Sequence, residues 1–341
     1  MTYDAILLIS FGGPERREDV MPFLENVLRG KNVPRTRMEA VAEHYYHFGG
    51  KSPINEQNRA LLAALRSELD RNGPQLPVYW GNRNWHPLLT DTLIKMKADG
   101  ARRALAFVTS GYSSYSSCRQ YLEDIARARA AAGEGAPVVD KIRAYYNHPG
   151  YIAATVEKVR EALEKIAPER RAPAHLVYTA HSIPNSMAQN CRYFEQLTEA
   201  ARLVSAELGR TPDPLVFQSR SGPPSQPWLG PDILEHLRAV AAQGQAKDVV
   251  VVPIGFVSDH MEVVYDLDTE ARALCGELGL NMVRAACVGP HPKFIAMIRE
   301  LILERTEERS NRPSLGSMGA SCDVCPEGCC LSPIIVQPLS S

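Results

Sequence analysis

The chain has 341 residues, of which 45% are hydrophobic and 23% charged, and its formal net charge is −1. These proportions are typical of a globular protein with a large core, and the charge balance gives no indication of nucleic-acid binding. No apolar run approaches the ~18 residues of a membrane span, and residues 1–14 lack the basic leader and apolar core of a signal peptide. We therefore expect a cytoplasmic protein.

Four apolar segments rich in β-branched residues are predicted to be buried parallel strands. They are YDAILLIS, RALAFVTS, AHLVYTA and DVVVVPIG, which begin at residues 3, 103, 174 and 248. Amphipathic segments between them, two of which end at a glycine, are predicted helices. Strands that alternate with helices in this way indicate a doubly wound α/β fold.

The order of strand, polar segment and helices occurs twice along the chain. We therefore predict two similar α/β halves, residues 1–150 and 151–305, each with a mainly parallel sheet flanked by helices. Residues 306–341 are predicted to be a linker and a cysteine-rich tail. Ligands bind beyond the carboxyl ends of strands in open α/β sheets, so we expect the polar segments FGGP, GYSSYSSC, HSIP and FVSDH to meet at one cleft.

The segment HSIP places a histidine at the end of a predicted strand. Pro184 cannot donate a hydrogen bond to a sheet ladder, so the strand must stop there and leave His181 at its tip. Taken alone, a single histidine in such a place is more often structural than catalytic.

The acidic segment that follows the fourth predicted strand changes this interpretation. A helix that begins near Asp259 would place Glu262, Asp266 and Glu270 on one face, because they are four residues apart. Such a run is usually a solvated helix face, but like charges at this spacing repel unless a cation lies nearby. Carboxylates with an imidazole suit a divalent metal such as iron.

Two further segments are predicted to shape a pocket. QSRSGPPSQPWLGPD, which contains Trp228, is too rich in proline and glycine for regular structure and is expected to be a shaped loop. HYYHFGGKSPINEQN and GYSSYSSCRQY combine aromatic and polar side chains, which could line a flat apolar pocket with polar edges. The residues alone therefore predict a cleft with a metal, but they do not identify a reaction.

Taken together, these motifs resemble those of the ferrochelatases, which insert ferrous iron into a porphyrin. The segments FVSDHMEVVYDLD, TAHSIP, QSRSGPPSQPWLGP and HYYHFGGKSPIN are similar to four family motifs and occur in the family order. GNRNW and YSSCRQYLEDIARARAAAG are similar to the actinobacterial branch, whose members metallate coproporphyrin III. The resemblance implies that the chain inserts Fe²⁺ into coproporphyrin III to give coprohaem. Alternatives are a protoporphyrin IX ferrochelatase and, less favoured, a porphyrin or haem carrier without turnover.

The resemblance also implies roles for particular residues. His181 and Glu262 are expected to face each other across the macrocycle, to accept the pyrrole protons and to handle Fe²⁺. Ser52 and Tyr121 match positions that contact the porphyrin. His260 is expected to face another direction from Glu262 and to give structural support.

Further positions are interpreted from the same resemblance. Asp266 and Glu270 are expected to pass or store iron. Phe11 stands where other Gram-positive members have a tyrosine, which excludes a phenol ligand to the product iron at that position. Arg29 and Lys51 are candidates for binding the propionates. We also expect a monomer, and a partner enzyme that processes the coprohaem.

Eight cysteines remain to be interpreted, and four of them crowd the tail. In a cytosolic chain such crowding favours metal or cluster binding over disulfides. The resemblance implies a 2Fe–2S cluster, with zinc or an unligated tail as alternatives, and the expected ligands are Cys118, Cys322, Cys325 and Cys330. Cys329 is an alternative to Cys118 as the fourth ligand. The other three are expected to be small buried apolar residues, namely Cys191, Cys275 and Cys287.

Overall fold

The computed structural model describes residues 2–30, 33–222, 225–244 and 246–332. The first part of the chain builds four strands and five helices within the described residues. The strands are β1 Ala5–Ser10, β2 Val78–Asn82, β3 Arg103–Val108 and β4 Val138–Lys141. The helices are α1 Val20–Val27, α2 Arg35–His47, α3 Ile54–Asn72, α4 Leu89–Ala98 and α5 Gln120–Ala132, with a 3₁₀ turn at Arg17–Asp19 and a π-helical turn at Tyr115–Arg119.

The second part repeats the alternation. Its strands are β5 His175–His181, β6 Leu215–Gln218, β7 Asp248–Val252 and β8 Asn281–Arg284. The longer helices are α6 Pro149–Leu163, α9 Tyr193–Glu207, α10 Ile233–Gln243 and α13 Pro292–Thr306. Shorter ones are α7 Pro168–Arg171, α8 Asn185–Ala188, α11 Met261–Val263 and α12 Arg272–Glu277, and a π-helical turn at Val264–Ala271 joins α11 to α12.

The two sheets have the same topology. The first has the strand order β2-β1-β3-β4 and the second β6-β5-β7-β8, and every pairing between these strands is parallel. The four predicted strands are β1, β3, β5 and β7, the two central strands of each sheet. This confirms the predicted fold of two similar α/β halves, since each sheet repeats the same winding with helices packed against it.

The central strands are buried because they are apolar on both faces. All six residues of β1 and all five of β7 are buried. One apolar cluster extends across both sheets, and it includes Ile6 and Leu8 of β1 with Leu176 of β5 and Val250 of β7. The two halves therefore share a continuous core, which fixes the cleft between the carboxyl ends of their strands.

The last helix returns to the first half. Arg299 of α13 donates to the carbonyl of Gly73 at 2.7 Å. Glu304 of α13 forms a bidentate ion pair with Arg143, with both N···O distances 2.8 Å and side chains only 2% and 1% exposed. Because α13 contacts α3 as well as α6, the division near residue 150 stays a prediction.

The described part of the tail lies against the body of the protein. The side chain of Asn147 donates to the carbonyls of Leu315 and Gly319, and the backbone N–H of Leu315 donates to the carbonyl of Asn147. Arg143 also donates to the carbonyl of Pro313 at 3.0 Å. The predicted linker is thus held by hydrogen bonds to the body on the way to the tail cysteines. No helix within the described residues is long and apolar enough to cross a bilayer.

Candidate active site

His181 is the last residue of β5, so its side chain lies at the carboxyl edge of the second sheet. Tyr193 on α9 donates a hydrogen bond to the His181 carbonyl at 3.1 Å, which fixes the backbone there. Nδ1 of His181 contacts the carbonyl oxygen of Ser182 within hydrogen-bond range. With Nδ1 as the donor in that bond, Nε2 is directed toward Glu262, whose Oε1 lies 3.6 Å away.

Glu262 lies in the first turn of α11, beyond the end of β7. The amide of Gln218, at the end of β6, donates to the Glu262 carbonyl at 2.8 Å and fixes the backbone of this turn. The second carboxylate oxygen, Oε2, lies 3.8 Å from Nε2 of His260. The carboxylate thus lies between two imidazoles.

The expected direction of His260 is therefore wrong. The helix begins at Met261, so His260 precedes it with an extended backbone (φ −96°, ψ −175°). A residue in that conformation does not follow the helical spacing on which the expectation rested. The His260 ring packs edge-on against Phe256 with centroids 4.9 Å apart, and its Nε2 faces the same carboxylate as His181.

The pair formed by His181 and Glu262 is charged in the resting protein. Burial alone would lower the pKa of His181, but the Glu262 carboxylate outweighs burial and raises this pKa to about 9. Burial would likewise raise the pKa of Glu262, but His181 brings it down to about 2. Between these values the pair is an imidazolium facing a carboxylate.

The two side chains are too close together for a flat ring to lie between them in this arrangement. A flat ring between two groups needs about 3.5 Å on each side, or about 7 Å in all. Nε2 of His181 and Oε1 of Glu262 are only 3.6 Å apart. The expectation that they face each other across the macrocycle therefore stays a prediction, and it requires the two side chains to move apart.

The predicted acidic stripe is present, and Asp266 and Glu270 continue it on the π-helical turn. Burial raises the pKa of Asp266 to about 7; a hydrogen bond from Ser219 opposes this, while the neighbouring Glu262 and Glu270 add to it. Asp268, by contrast, faces Arg284, with two N···O contacts of 2.8 Å. The stripe is therefore a row of carboxylates, and Asp266 within it holds its proton to a higher pH than an ordinary aspartate does.

The two predicted porphyrin contacts, Ser52 and Tyr121, are both buried and lie in different parts of the first half. Ser52 is buried against the loop that follows β1, where a Cβ on Gly13 would come within 2.9 Å of its Oγ. Tyr121 is 5% exposed and lies in the apolar cluster between the first sheet and helices α4 and α5. The guanidinium of Arg83 covers the Tyr121 ring at 4.4 Å and lies 5.8 Å from the ring of Phe11.

Aromatic side chains surround the carboxylate. Tyr45 of α2 and Tyr193 of α9 are close enough for the charge of Glu262 to raise the pKa of each phenol, in addition to the larger effect of burial. The ring of His44 stacks on Tyr265 with centroids 3.7 Å apart and an angle of 6°. These rings come from both halves, and only His44 and Tyr45 belong to the segments that were predicted to line a flat apolar pocket, so that pocket stays a prediction.

The loop predicted from its proline and glycine content forms one side of the site. Residues 219–222 and 225–232 of it contain no helix or strand, and it joins the HSIP segment through a bridge between Pro184 and Trp228. Ser182 donates to the carbonyl of Leu229 at 2.7 Å. Ser219 in this loop has a φ of 62° and its hydroxyl donates to Asp266. The loop therefore supports both His181 and the acidic stripe.

Sequence reasoning missed two polar residues that hold the catalytic segment. Gln218 bonds the carbonyl of Glu262, and Ser219 bonds the carboxylate of Asp266. Their signal was available, since both stand at the carboxyl end of an apolar run, Leu215–Gln218.

The tail cysteines approach Cys118. A cavity of about 110 Å³ is lined by thiols from both parts of the chain, namely Cys118, Cys325, Cys329 and Cys330. Arg119 donates to the carbonyl of Cys329 at 3.2 Å and holds the tail there. Cys322, one of the expected ligands, is exposed.

The cavity favours a thiolate at Cys118. The hydrogen bond from Cys325 and the nearby Lys141 together lower the pKa of Cys118 to about 6, against the opposing effect of burial. Thiolates are the ligands of iron–sulfur clusters, so this chemistry suits a cluster. Yet no group of three or more histidine, cysteine or acidic side chains in the described ranges is arranged to hold a metal ion.

Comparison with known proteins identifies relatives along nearly the whole chain. The ferrochelatase family model matches residues 3–306. A ferrochelatase of Rhodopirellula baltica is 56% identical over 96% of this chain and 93% of its own length. A coproporphyrin III ferrochelatase of Streptomyces griseus is 51% identical over 96% of this chain and 93% of its own length. One of Nocardia farcinica is 49% identical over 97% of each chain.

Solved structures show a similar fold at low sequence identity. SirB from Bacillus subtilis with Fe³⁺ aligns with a TM-score of 0.53 at 14% identity, and covers 90% of this chain and 98% of its own. The sirohydrochlorin chelatase SirB in complex with cobalt aligns with a TM-score of 0.50 at 14% identity, over 90% and 97% of the two chains. At this identity the likeness concerns the fold alone.

Proposed function

This chain belongs to the ferrochelatase family, and we propose that it inserts Fe²⁺ into coproporphyrin III to form coprohaem in haem biosynthesis. The reaction breaks two pyrrole N–H bonds, forms the iron–nitrogen bonds and releases two protons. The ion pair of His181 and Glu262, 3.6 Å apart at the strand ends, is the observation that carries the proposal. It offers a carboxylate for the metal and an imidazole for the protons at one point.

The charge state of the pair suggests the order of events. The resting imidazolium already holds its proton, because Glu262 raises the pKa of His181 to about 9. When Fe²⁺ approaches Glu262, it competes with the imidazolium for the carboxylate, and the pKa of His181 falls toward its usual value. His181 then gives up its proton to solvent and becomes a base for the pyrrole protons. Asp266 and Glu270 lead iron toward the pair.

The identity of the porphyrin rests on the relatives that are named coproporphyrin III ferrochelatases. Coproporphyrin has four propionates and protoporphyrin two, so additional polar contacts would distinguish them. Ser52 and Tyr121 are proposed porphyrin contacts. The Arg83 guanidinium covers the Tyr121 ring, so Tyr121 would act on the porphyrin through Arg83. Of the two basic candidates, Arg29 is exposed, and Lys51 pairs with Glu56 at 2.7 Å.

The main alternative is the same reaction on protoporphyrin IX, since one relative, at 56% identity, is named simply a ferrochelatase. A carrier without turnover would not need the pair of His181 and Glu262. An anaerobic assay of Fe²⁺ insertion into each porphyrin distinguishes the two ferrochelatase activities from each other and from a carrier. Turnover with coproporphyrin III supports the proposal, and tight porphyrin binding without turnover would favour a carrier.

We propose in addition that Cys118 and the tail thiols hold a 2Fe–2S cluster. The proposed ligands are Cys322, Cys325 and Cys330 of the tail, and the fourth is either Cys118 or Cys329, both of which line the cavity. Such a cluster supplies one-electron redox chemistry when it is bound. Two features support this proposal. The lowered pKa of Cys118 favours the thiolate form that binds iron, and the hydrogen bond from Arg119 to the Cys329 carbonyl keeps the tail beside Cys118.

The remaining proposals concern the setting of the enzyme. The protein is proposed to work in the cytoplasm as a monomer and to deliver coprohaem to an enzyme that processes it.

A further inference from the structure

One side-chain amide joins the two halves beside the catalytic carboxylate. Gln57 lies in the first turn of α3, in the first half. Its Nε2 donates to the carbonyl of Asp259 at 3.3 Å, and its Oε1 accepts from the backbone N–H of Asp259 at 2.8 Å. A primary amide matches a peptide unit in this way, with one donor and one acceptor side by side. The two hydrogen bonds have the same pattern as those of one hydrogen-bonded residue pair in an antiparallel sheet.

The two ends of this bridge lie at opposite walls of the cleft. Helix α3 begins at Ile54, two residues after Ser52, and Asn55 in its first turn donates to the carbonyl of Gly13 at 3.2 Å. Asp259 lies three residues before Glu262 and is held from the other side by Arg284, whose Nη1 is 2.7 Å from its carboxylate. Gln57 therefore connects the proposed porphyrin wall of the first half to the turn that carries the catalytic acid.

The segment between Asp259 and Tyr265 is held by the first half at both of its ends. Gln57 bonds its beginning, and His44 of α2 stacks on Tyr265 at its end, with ring centroids 3.7 Å apart. Glu262 lies between these two attachments. Its position is therefore set by the first half as well as by its own sheet, where Gln218 bonds its carbonyl.

We propose that Gln57 is a positioning residue, which sets the place of the Glu262 carboxylate relative to a porphyrin seated on the first half. The inference rests on the proposed function and goes beyond it. Gln57 touches neither the metal nor the macrocycle in this role. It acts through the backbone of Asp259, and a misplacement of catalytic groups by about 1 Å can lower a rate by as much as a hundredfold.

Two variants of Gln57 separate its two hydrogen bonds. Gln57→Met keeps the length of the side chain and removes both bonds, and we expect kcat to fall about tenfold with the KM for porphyrin changed less than about threefold. Gln57→Glu keeps the acceptor for the Asp259 N–H and loses the donor, so its kcat should be intermediate. Gln243→Met, an exposed glutamine at the end of α10, is the matched control and should behave like the unchanged protein.

Amide hydrogen exchange tests the same inference without substrate. Residues 259–265 should exchange faster in Gln57→Met than in the unchanged protein, and at the unchanged rate in Gln243→Met. Unchanged kcat in the folded Gln57 variants, or unchanged exchange of this segment, would overturn the inference. An unchanged protein that inserts no iron while Gln57→Met still exchanges faster would contradict the proposed function, and it would show only that Gln57 holds residues 259–265 in place.

Discussion

Nε2 of His181, at the end of strand β5, and Oε1 of Glu262, in helix α11 beyond strand β7, lie 3.6 Å apart. Neither side chain is sealed off, since 32% and 48% of their surfaces are exposed. The pair thus combines a strong mutual charge effect with access from the cleft. It gives a role to the histidine that ends β5 and to the first acid of the row that follows β7.

Removal of the imidazole should abolish most of the activity. We expect His181→Ala to lower kcat/KM for iron insertion by a hundredfold or more, because positioned proton transfer contributes roughly 10²–10⁴ to a rate. His260→Ala is the comparison, since His260 faces the same carboxylate from the other side at 3.8 Å. In His260→Ala the decrease in kcat/KM should stay below about tenfold. Near-normal activity of a folded His181→Ala protein would remove His181 from the proposed role.

The ion pair predicts an unusual titration. In the metal-free protein the His181 ring should titrate near pH 9, since Glu262 raises its pKa to about 9. In Glu262→Gln it should titrate at a much lower pH, because burial lowers this pKa once the carboxylate charge is gone. NMR of labelled histidine measures both. A His181 signal that titrates near 6.5 in the unchanged protein would show that the two side chains do not interact as described.

The same shift has a consequence for stability. The pKa of His181 is higher in the folded protein than in the unfolded chain, so the pair stabilises the fold most at pH values below about 6.5. That contribution is lost as the pH rises through about 9. For Glu262, whose pKa is lowered to about 2, the contribution is present above its usual range and is lost as the pH falls toward 2.

The buried pair of Arg143 and Glu304 should matter for folding. Both side chains are almost fully buried, so Arg143→Met leaves an unpaired carboxylate and should lower the free energy of unfolding by about 3–5 kcal/mol. Arg192→Met breaks the exposed pair of Arg192 with Glu195 and should cost less than about 1 kcal/mol. Urea unfolding compares them. Equal losses in the two variants would show that burial of the first pair has no special effect.

The cysteine cavity predicts a coloured protein. Anaerobically purified protein should absorb visible light and contain iron and sulfide, and Cys118→Ser should lose both. Cys118→Ser and Cys329→Ser, measured side by side, identify the fourth ligand as the one whose substitution removes the colour. Cys275→Ser is the control, because Cys275 lies in the core of the second half. A colourless unchanged protein that contains zinc would contradict the cluster.

The central strands of both sheets were predictable, whereas the outer strands were not. YDAILLIS and DVVVVPIG are long apolar runs, and such runs favour buried parallel strands. Strands β4 and β8 have only four residues each, and their sequences VVDK and NMVR are partly polar because they lie at sheet edges. Short mixed segments of this kind do not stand out from loops.

The candidate site was predicted in its residues but less well in its geometry. Spacing alone identified the acidic row of Glu262, Asp266 and Glu270. The direction of His260 depends on a helix that starts at Met261, and periodicity does not fix a helix start to one residue. The bridge from Gln57 to Asp259 joins residues 202 apart in the chain, and no local pattern indicates such a contact.

The most direct test of the account is anaerobic Fe²⁺ insertion into coproporphyrin III and protoporphyrin IX, measured with the same protein under the same conditions. We predict turnover with both porphyrins and a kcat/KM at least about tenfold higher for coproporphyrin III, because its two additional propionates can form charge-assisted hydrogen bonds at the cleft. Faster turnover with protoporphyrin IX would contradict the proposal that coproporphyrin III is the substrate. No turnover with either porphyrin would contradict the proposed activity itself.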